Sequence, residues 1–283
     1  MGNNMFTVII VEYNSRSAID NLIASIRKFE TRAKVIISSN SFYTGNERER
    51  FDSDFSDCMI IHNNKNLGYA GGVNRALEQV TTPFTVILNP DVILIDSILQ
   101  QALSVFEEHQ NLGAFSFNVI EDNGESAFSG RRFLTPFLLV SRICLNKLHL
   151  KKFKKAENRY LYKDIQRDRF FYVDWISGGV MFVRMSAYSI IGGMDERYFL
   201  YFEDMDWCRT FWENSWAIGY DPTYKIIHNA QWESTKSSWS ILFRKSTRAH
   251  LCSCFKYFHK WGIKEYIPSD KLNLMTLKSY NNK

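Results

Sequence analysis

Several protein classes are excluded by what the chain lacks. Its five cysteines, Cys58, Cys144, Cys208, Cys252 and Cys254, are odd in number and irregularly spaced, and no CxxC pair occurs. A disulfide framework is therefore not expected, and a reducing cytoplasm explains them better. No basic stretch followed by an apolar run opens the sequence, so no signal peptide is expected. No run of about 18 apolar residues occurs, so no transmembrane helix is expected either. Zinc-finger spacing and an RNA-recognition signature are both missing, which leaves nucleic acid out as a partner. A Gly-x-Ser-x-Gly elbow, a Cys–His pairing and a GxGxxG after the first strand are also missing, which counts against a hydrolase or a dehydrogenase. There are no internal repeats and no low-complexity tracts.

What is present suits a globular α/β protein. A chain of 283 residues fits one large domain with an appended segment, or two small domains, and can bury a sizeable core. The net charge of +5 is mild and fits an anionic substrate or an anionic membrane surface. The 22 Phe, 14 Tyr and 7 Trp cluster after Phe170, giving that half flat surfaces for packing or for stacking on sugars and bases.

Phe6–Val11 is a continuous apolar, β-branched run, the pattern of a strand buried on both faces of a parallel sheet. Asn14-Ser15 offers an N-cap for a helix to about Lys28, with Ile19, Leu22, Ile23 and Ile26 on one face. Lys34–Ile37, Met59–Ile61 and Phe84–Leu88 read as further strands, Gly68–Val80 and Ile95–His109 as helices. This alternation implies βαβ units and a mostly parallel sheet. After about residue 112 the pattern changes. Phe115–Ile120 and Ser126–Phe133 read as antiparallel or edge strands, Leu134–Leu150 as helical and Lys147–Lys155 as an exposed basic stretch. Val180–Val183 and Ile226–Ile227 read as short strands, Glu203–Trp212 as a helix with an acidic start, and Ser237–Trp261 as a last helix.

Three constellations carry chemistry. Asn89-Pro90-Asp91 ends a parallel strand, where open α/β sheets bind ligands. A carboxylate between apolar flanks needs a partner, and a divalent cation on a diphosphate is one, although Asn-Pro-Asp is also turn chemistry. Asn66 to Asn74 (NLGYAGGVN) is a Gly-rich approach to a helix N-terminus, which favours anions or serves tight helix–sheet packing. Glu203, Asp204 and Asp206 follow the apolar run Phe199–Phe202. Asp206 is spaced to pair with Arg209 and Glu203 suits the helix start, which leaves Asp204 as the candidate general base, with Glu203 next. His228 follows a strand, where a lone histidine is either structural or a ligand.

In order and spacing, these segments resemble the family-2 inverting glycosyltransferases of GT-A fold, most of all their bacterial rhamnosyltransferase-like branch. The matching pieces are VIIVEYNS at Val8–Ser15, NLGYAGGVNRAL at Asn66–Leu77, LNPDV at Leu88–Val92, SGGVMFVR at Ser177–Arg184 and GGMDERYFLYFEDMDWCRT at Gly192–Thr210, followed by His228. The resemblance implies a Rossmann-like, mostly parallel central sheet with helices on both faces. It implies a catalytic domain over residues 1–230, with a nucleotide-binding half to about 112 and an acceptor half over 113–230, and a helical extension over 231–283. By it, Asp91 is the metal carboxylate of a variant DXD motif with Asn89 in first position, His228 completes the site for Mn²⁺ or Mg²⁺, and Asp204 is the catalytic base. Glu12, Tyr13, Asn14, Asn66, Gly68 and Asn74 fall to the nucleotide-sugar donor, and Ser177, Gly178 and Gly179 lie near the donor sugar or acceptor. Ser38 stands where an Asp is usual, a departure that touches base recognition.

The implied reaction is a single displacement that moves a sugar, by family dTDP-rhamnose first and a UDP-sugar next, onto an acceptor hydroxyl. The acceptor expected is a glycan or lipid-linked glycan of a bacterial surface polysaccharide. A sugar nucleotidyltransferase would need a Gly-rich basic loop after the first strand, where EYNSRSAIDN has no glycine. A non-catalytic nucleotide- or carbohydrate-binding module would not need Asp91, Asp204 and His228 together. The last helix interleaves Arg244, Lys245, Arg248, Lys256, Lys260 and Lys264 with Trp239, Leu242, Phe243, Leu251, Phe255, Tyr257, Phe258 and Trp261. That mixture suits an anionic membrane at the cytoplasmic face, or a helix that packs its aromatics on the domain.

Overall fold

In the computed structural model the described residues are 5–139, 151–228 and 245–268. The first half is a βα alternation: β1 (Phe6–Glu12), α1 (Arg16–Phe29), β2 (Lys34–Ser39), α2 (Gly45–Asp54), β3 (Met59–His62), α3 (Gly68–Leu77), β4 (Phe84–Leu88), β5 (Val92–Ile93) and α4 (Leu99–Glu108). The second half runs β6 (Leu112–Glu121), β7 (Gly130–Arg131), α5 (Lys151–Tyr160), β8 (Phe171–Tyr172), β9 (Trp175–Ile176), β10 (Val180–Arg184), α6 (Met185–Ile191), α7 (Glu203–Glu213), β11 (Ala217–His228) and α8 (Lys245–Trp261).

The main sheet has the order β3-β2-β1-β4-β10-β6-β11-β5, with β8 on β11. Strands β3, β2, β1 and β4 are mutually parallel, β10 runs antiparallel between β4 and β6, and β6 and β11 are parallel. This is the mixed α/β architecture with a mostly parallel centre that the alternation implies. All seven residues of β1 and all five of β4 are buried, as continuous apolar runs require of central strands. A separate ribbon pairs β7 with β9, setting Arg131 opposite Trp175.

The strand expected over Ser126–Phe133 is only the two-residue β7, the short β5, β8, β9 and α6 were not expected, and four larger departures have identifiable causes. Helix α2 was not expected, because GNERERFDSD buries only Phe51 and shows no apolar stripe. Helix α4 begins at Leu99 rather than Ile95, because the Glu30 carboxylate accepts the backbone N–H groups of Ile98 and Leu99 and the Ser97 hydroxyl, capping the helix from the far end of α1. Strand β11 extends back to Ala217, well beyond Ile226–Ile227, and a register shift between Asp221 and Lys225 breaks its apolar pattern. The basic stretch 151–155 opens helix α5. Of the helices expected over Leu134–Leu150 and Ser237–Trp261, residues 140–150 and 237–244 lie outside the described residues.

Candidate active site at the carboxyl edge of the sheet

Parallel β1 and β4 lie side by side, so their C-terminal ends open at one edge. There they border a cleft of about 490 Å³ lined by Tyr13, Asn14, Asn40, Asn66, Gly68, Tyr69, Asn89, Pro90, Asp91, Phe199 and Leu200. Asn14 takes a left-handed φ of 51°, a conformation asparagine tolerates, and its N–H donates to the Ser41 hydroxyl at 2.7 Å. Gly68 opens α3 at φ +73°, where a Cβ would sit 2.2 Å from the Phe199 carbonyl oxygen, so only glycine fits. The Gly68 N–H donates to Asn66 Oδ1 at 2.8 Å. Gly68 and Tyr69 at the α3 N-terminus line the cleft, and since the Tyr69 N–H also goes to the Phe199 carbonyl, the helix end offers an anion its dipole rather than these two N–H groups.

Not every residue expected at the donor lines this cleft. Glu12 is fully buried beneath it, and its carboxylate accepts from the Ser15 N–H, the Ser39 and Ser41 hydroxyls and the Tyr43 hydroxyl at 2.6–3.0 Å. Burial and that carboxylate push the Tyr43 hydroxyl up to about 12. Ser38 is buried and accepts from Asn63 Nδ2. Asn74 ties α3 to the turn at Met194, donating to its carbonyl and accepting its N–H, both at 2.8 Å. These three brace the cleft from outside it. Asn40, two positions past Ser38, faces the cleft instead, and it orders the loop by donating to the Gly68 carbonyl and accepting from the Leu67 N–H. Its place in the polar run after β2 was the one available signal.

The β5–β11 pairing sets His228 opposite Val92 and so beside Asp91. His228 Nε2 lies 3.2 Å from Asp91 Oδ2, and Asp91 Oδ1 is buried without a hydrogen-bond partner. That hydrogen bond draws the imidazole pKa up against the opposing effect of burial. A carboxylate oxygen with an open lone pair beside an imidazole fits a divalent cation. Among the described residues no cluster of three or more His, Cys, Asp or Glu surrounds it, so diphosphate oxygens and water would complete the shell.

A second cavity of about 510 Å³ lies behind the cleft, lined by residues that include Arg131, Leu134, Trp175, Ser177, Phe202, Glu203, Asp204 and His250. Its carboxylates start α7, and the two residues before them, Tyr201 and Phe202, have φ of 68° and 70°. Such non-glycine conformations cost about 1–3 kcal/mol each and persist where surrounding structure enforces them. Asp204 Oδ2 accepts the Gly178 N–H at 3.0 Å and Oδ1 the Met205 N–H at 2.8 Å. The Tyr69 hydroxyl donates to the Gly178 carbonyl at 2.6 Å, so Gly178 links the first cleft to Asp204. Gly179 accepts the Asn89 N–H, and the Ser177 N–H donates to the Ser129 carbonyl.

Burial pushes both carboxyls up. Glu203 rises well above its ordinary range, because it is buried beside Asp204 and its Oε2 has no partner. Asp204 is drawn back by the Gly178 and Met205 N–H groups and by Arg131. Both carboxyls are thus raised, and the two N–H groups and Arg131 oppose the rise at Asp204, which makes Asp204 the better placed of the two to act as a general base. Asp206 does not pair with Arg209 as its spacing suggests. It accepts from Tyr198, Lys260 and Trp261, while Arg209 lies over the rings of Trp261 and Tyr266.

The chain is similar to the rhamnosyltransferase WbbL of Escherichia coli (strain K12), 25% identical over 274 residues, which are 92% of this chain and 94% of that protein. It is 21% identical over 238 residues to an N-acetylglucosaminyl-diphospho-decaprenol L-rhamnosyltransferase of Mycobacterium tuberculosis, covering 80% of this chain and 76% of that protein. Two solved structures share the fold. One is the mannosyltransferase PcManGT of Pyrobaculum calidifontis with GDP-Man and Mn²⁺, at TM-score 0.57 and 15% identity over 93% of this chain and 66% of that one. The other is GalNAc-T7 with UDP, GalNAc and Mn²⁺, at TM-score 0.62 and 12% identity over 90% of this chain, which spans 47% of that one. The profile of glycosyl transferase family 2 matches residues 7–188, from β1 into α6, and with that match over most of the α/β core the chain belongs to glycosyl transferase family 2 and is a glycosyltransferase.

Proposed function

We propose that the protein transfers a sugar from a nucleoside-diphosphate sugar in the β1–β4 cleft to an acceptor hydroxyl in the cavity of Asp204, with inversion. The observation that carries this reading is the Tyr69–Gly178–Asp204 bridge, which sets a carboxylate held by two backbone N–H groups where the two cavities meet. Asp204 and His228 lie beyond the matched segment, so their roles rest on this geometry.

Asp204 takes the proton of the acceptor hydroxyl. The freed oxygen bonds to the anomeric carbon from the face opposite the diphosphate. The carbon–oxygen bond to the diphosphate breaks, and its electron pair leaves with the nucleotide. General-base help of this kind is worth about 10²–10⁴-fold. Gly68 and the α3 N-terminus bind the anionic diphosphate, and Tyr13 and Asn40 border the nucleotide. Asp91 and His228 are the residues that would hold Mn²⁺ or Mg²⁺, which supplies charge neutralisation for the diphosphate. We read residues to about 112 as the donor half and 113–230 as the acceptor half; most of the lining of each cavity supports this, although Phe199 and Leu200 reach the first and His250 of α8 the second. A nucleotidyltransferase is not favoured, since β1 leads into no glycine-bearing triphosphate loop.

Likeness to rhamnosyltransferases supports dTDP-rhamnose as donor, with UDP-sugars next, and a lipid-linked glycan of a bacterial surface polymer as acceptor. No described helix is long and apolar enough to cross a membrane, and we propose peripheral attachment at the cytoplasmic face. The test is nucleotide release from a donor panel with Mn²⁺, with and without acceptor. Release should require acceptor, stop in EDTA and stop in Asp91→Ala. Mn²⁺ should serve at least as well as Mg²⁺, because imidazole suits later transition metals. Full turnover in EDTA removes the metal from the reading.

A further inference from the structure

We propose that Tyr69 is a positioning residue for the general base: its hydroxyl holds the Gly178 peptide, and through it keeps the Asp204 carboxylate aimed at the acceptor hydroxyl. The inference rests on the assignment of Asp204 as the base. Tyr69 reaches Asp204 from two directions. Its hydroxyl donates to the Gly178 carbonyl at 2.6 Å, and the Gly178 N–H donates to Asp204 Oδ2 at 3.0 Å. Its own N–H donates to the Phe199 carbonyl at 3.0 Å, upstream of Asp204 on the segment that leads into α7. Between those two points Tyr201 and Phe202 hold left-handed φ of 68° and 70°, so the start of α7 keeps its course only while its neighbours enforce it.

The Ser177–Gly179 turn needs such a restraint. Gly178 has no room for a side chain, since a Cβ there would lie 3.1 Å from Tyr69 Cε1, 3.2 Å from its hydroxyl oxygen and 3.5 Å from Asp204 Cβ. Two adjacent glycines are conformationally permissive, so contacts have to remove their freedom. Backbone partners hold the two ends: the Ser177 N–H donates to the Ser129 carbonyl, and the Gly179 carbonyl accepts the Asn89 N–H. At the middle residue the side chain of Tyr69 supplies the hold. Burial, then the nearby carboxylates of Glu203, Asp204 and Asp91, push the Tyr69 hydroxyl well up, so it keeps its proton and remains a donor. The Gly178 and Met205 N–H groups each take one oxygen of Asp204. They fix the plane of the carboxylate and leave lone pairs for the proton of the acceptor. Without the Tyr69 hydroxyl the Gly178 peptide can turn, and the carboxylate loses one of its two fixed donors and its aim.

The test compares Tyr69→Phe, which keeps the ring, with Asp204→Asn and with the double variant, all in the full-length protein. Amide exchange at Gly178 is read first, and it stands whether or not sugar transfer is observed. Tyr69→Phe should quicken that exchange about tenfold, and an unchanged rate overturns the proposal. Affinity for dTDP should stay within about twofold, which shows that the variant is folded and its cleft intact. Turnover is read as nucleotide release from dTDP-rhamnose with octyl-diphospho-N-acetylglucosamine in Mn²⁺. Tyr69→Phe should lower kcat about tenfold and leave the donor KM unchanged. A raised donor KM at unchanged kcat would mean that the hydroxyl touches the donor, which overturns the proposal. In the Asp204→Asn background the same substitution should cost nothing further, because the group it positions has gone. A second tenfold loss there would show a route that bypasses Asp204, and overturns it too. Undiminished turnover in Asp204→Asn removes the base assignment and this role together, whereas turnover lost in Asp204→Asn and kept in Tyr69→Phe removes the role of Tyr69 alone.

Discussion

Asp204 and Glu203 are neighbours in sequence and opposites in chemistry. Asp204 accepts two backbone N–H groups, while Glu203 is 5% exposed with one oxygen unpartnered. Asp204→Asn should therefore keep nucleotide binding and lose about 10²-fold or more in turnover, because an amide cannot take the proton. Surviving turnover would move the base to Glu203. For Glu203 the consequence concerns stability. Its folded pKa is raised, so the folded state favours the neutral form. The stability it confers is full below the unfolded carboxyl pKa, about 4.3, and drains away as pH rises toward the folded value. Glu203→Gln has no such loss. Its melting temperature should match the parent near pH 4 and exceed it increasingly toward pH 7; parallel curves would show that Glu203 is ionised in the fold. Both carboxylates were legible as candidates from sequence. The difference in their hydrogen bonding was not, because it depends on Gly178, some 26 residues away in the chain.

Elements were legible where one contiguous pattern made them. The buried runs of β1 and β4, the stripe of α1 and the glycine start of α3 each sit within one window, and with them came Asp91 at the strand end. Elements made by distant partners were not: the start of α4 depends on Glu30, and β11 reaches past polar Asp221 because β6 supplies its hydrogen bonds. The same holds for α8, whose spacing told nothing about which side chains turn inward. Tyr257 is 1% exposed, Lys260 lies 2.7 Å from Asp206 Oδ2 and Trp261 Nε1 2.6 Å from Asp206 Oδ1. Those residues latch α8 onto α7, the helix that carries Asp204, and cannot also face a membrane. Asp206→Ala would leave the Tyr198 hydroxyl and Trp261 Nε1 without their acceptor, while Lys260 keeps Asp195. A loss of about 1–3 kcal/mol is expected. Thermal melting should show it, and amide exchange should quicken in α8 before the central sheet. Uniform exchange across the molecule would mean that the latch does not act locally.

At the scale of the whole molecule, α8 has two faces with different work. The inner one grips α7, and His250 packs on the rings of Tyr201 and Phe202 beside the cavity of Asp204. On the outer one Arg248 is exposed, Leu251 is 48% exposed and Phe255 73%, and Ile263 just beyond the helix is 71% exposed. The helix contains no Asp or Glu, so nothing in it opposes an anionic surface. Trp239, Leu242, Phe243 and Arg244, which the sequence also assigns to such a surface, lie outside the described residues. An amphipathic face of this kind settles at the boundary of headgroups and acyl chains, and each basic residue near an anionic leaflet adds about 1 kcal/mol. Attachment there would hold the cavity of Asp204 at the height of a lipid-borne acceptor, since the latch makes helix and catalytic domain one body. The expected result is co-sedimentation with vesicles that rises with the anionic lipid fraction and falls with salt. Arg248→Gln should flatten the salt dependence, and Phe255→Ser should weaken binding at every salt concentration, because one side chain contributes charge and the other insertion. Both are exposed, so neither substitution should move the melting temperature. No binding to anionic vesicles at low salt would confine α8 to its inner face, as the strut that fixes the start of α7.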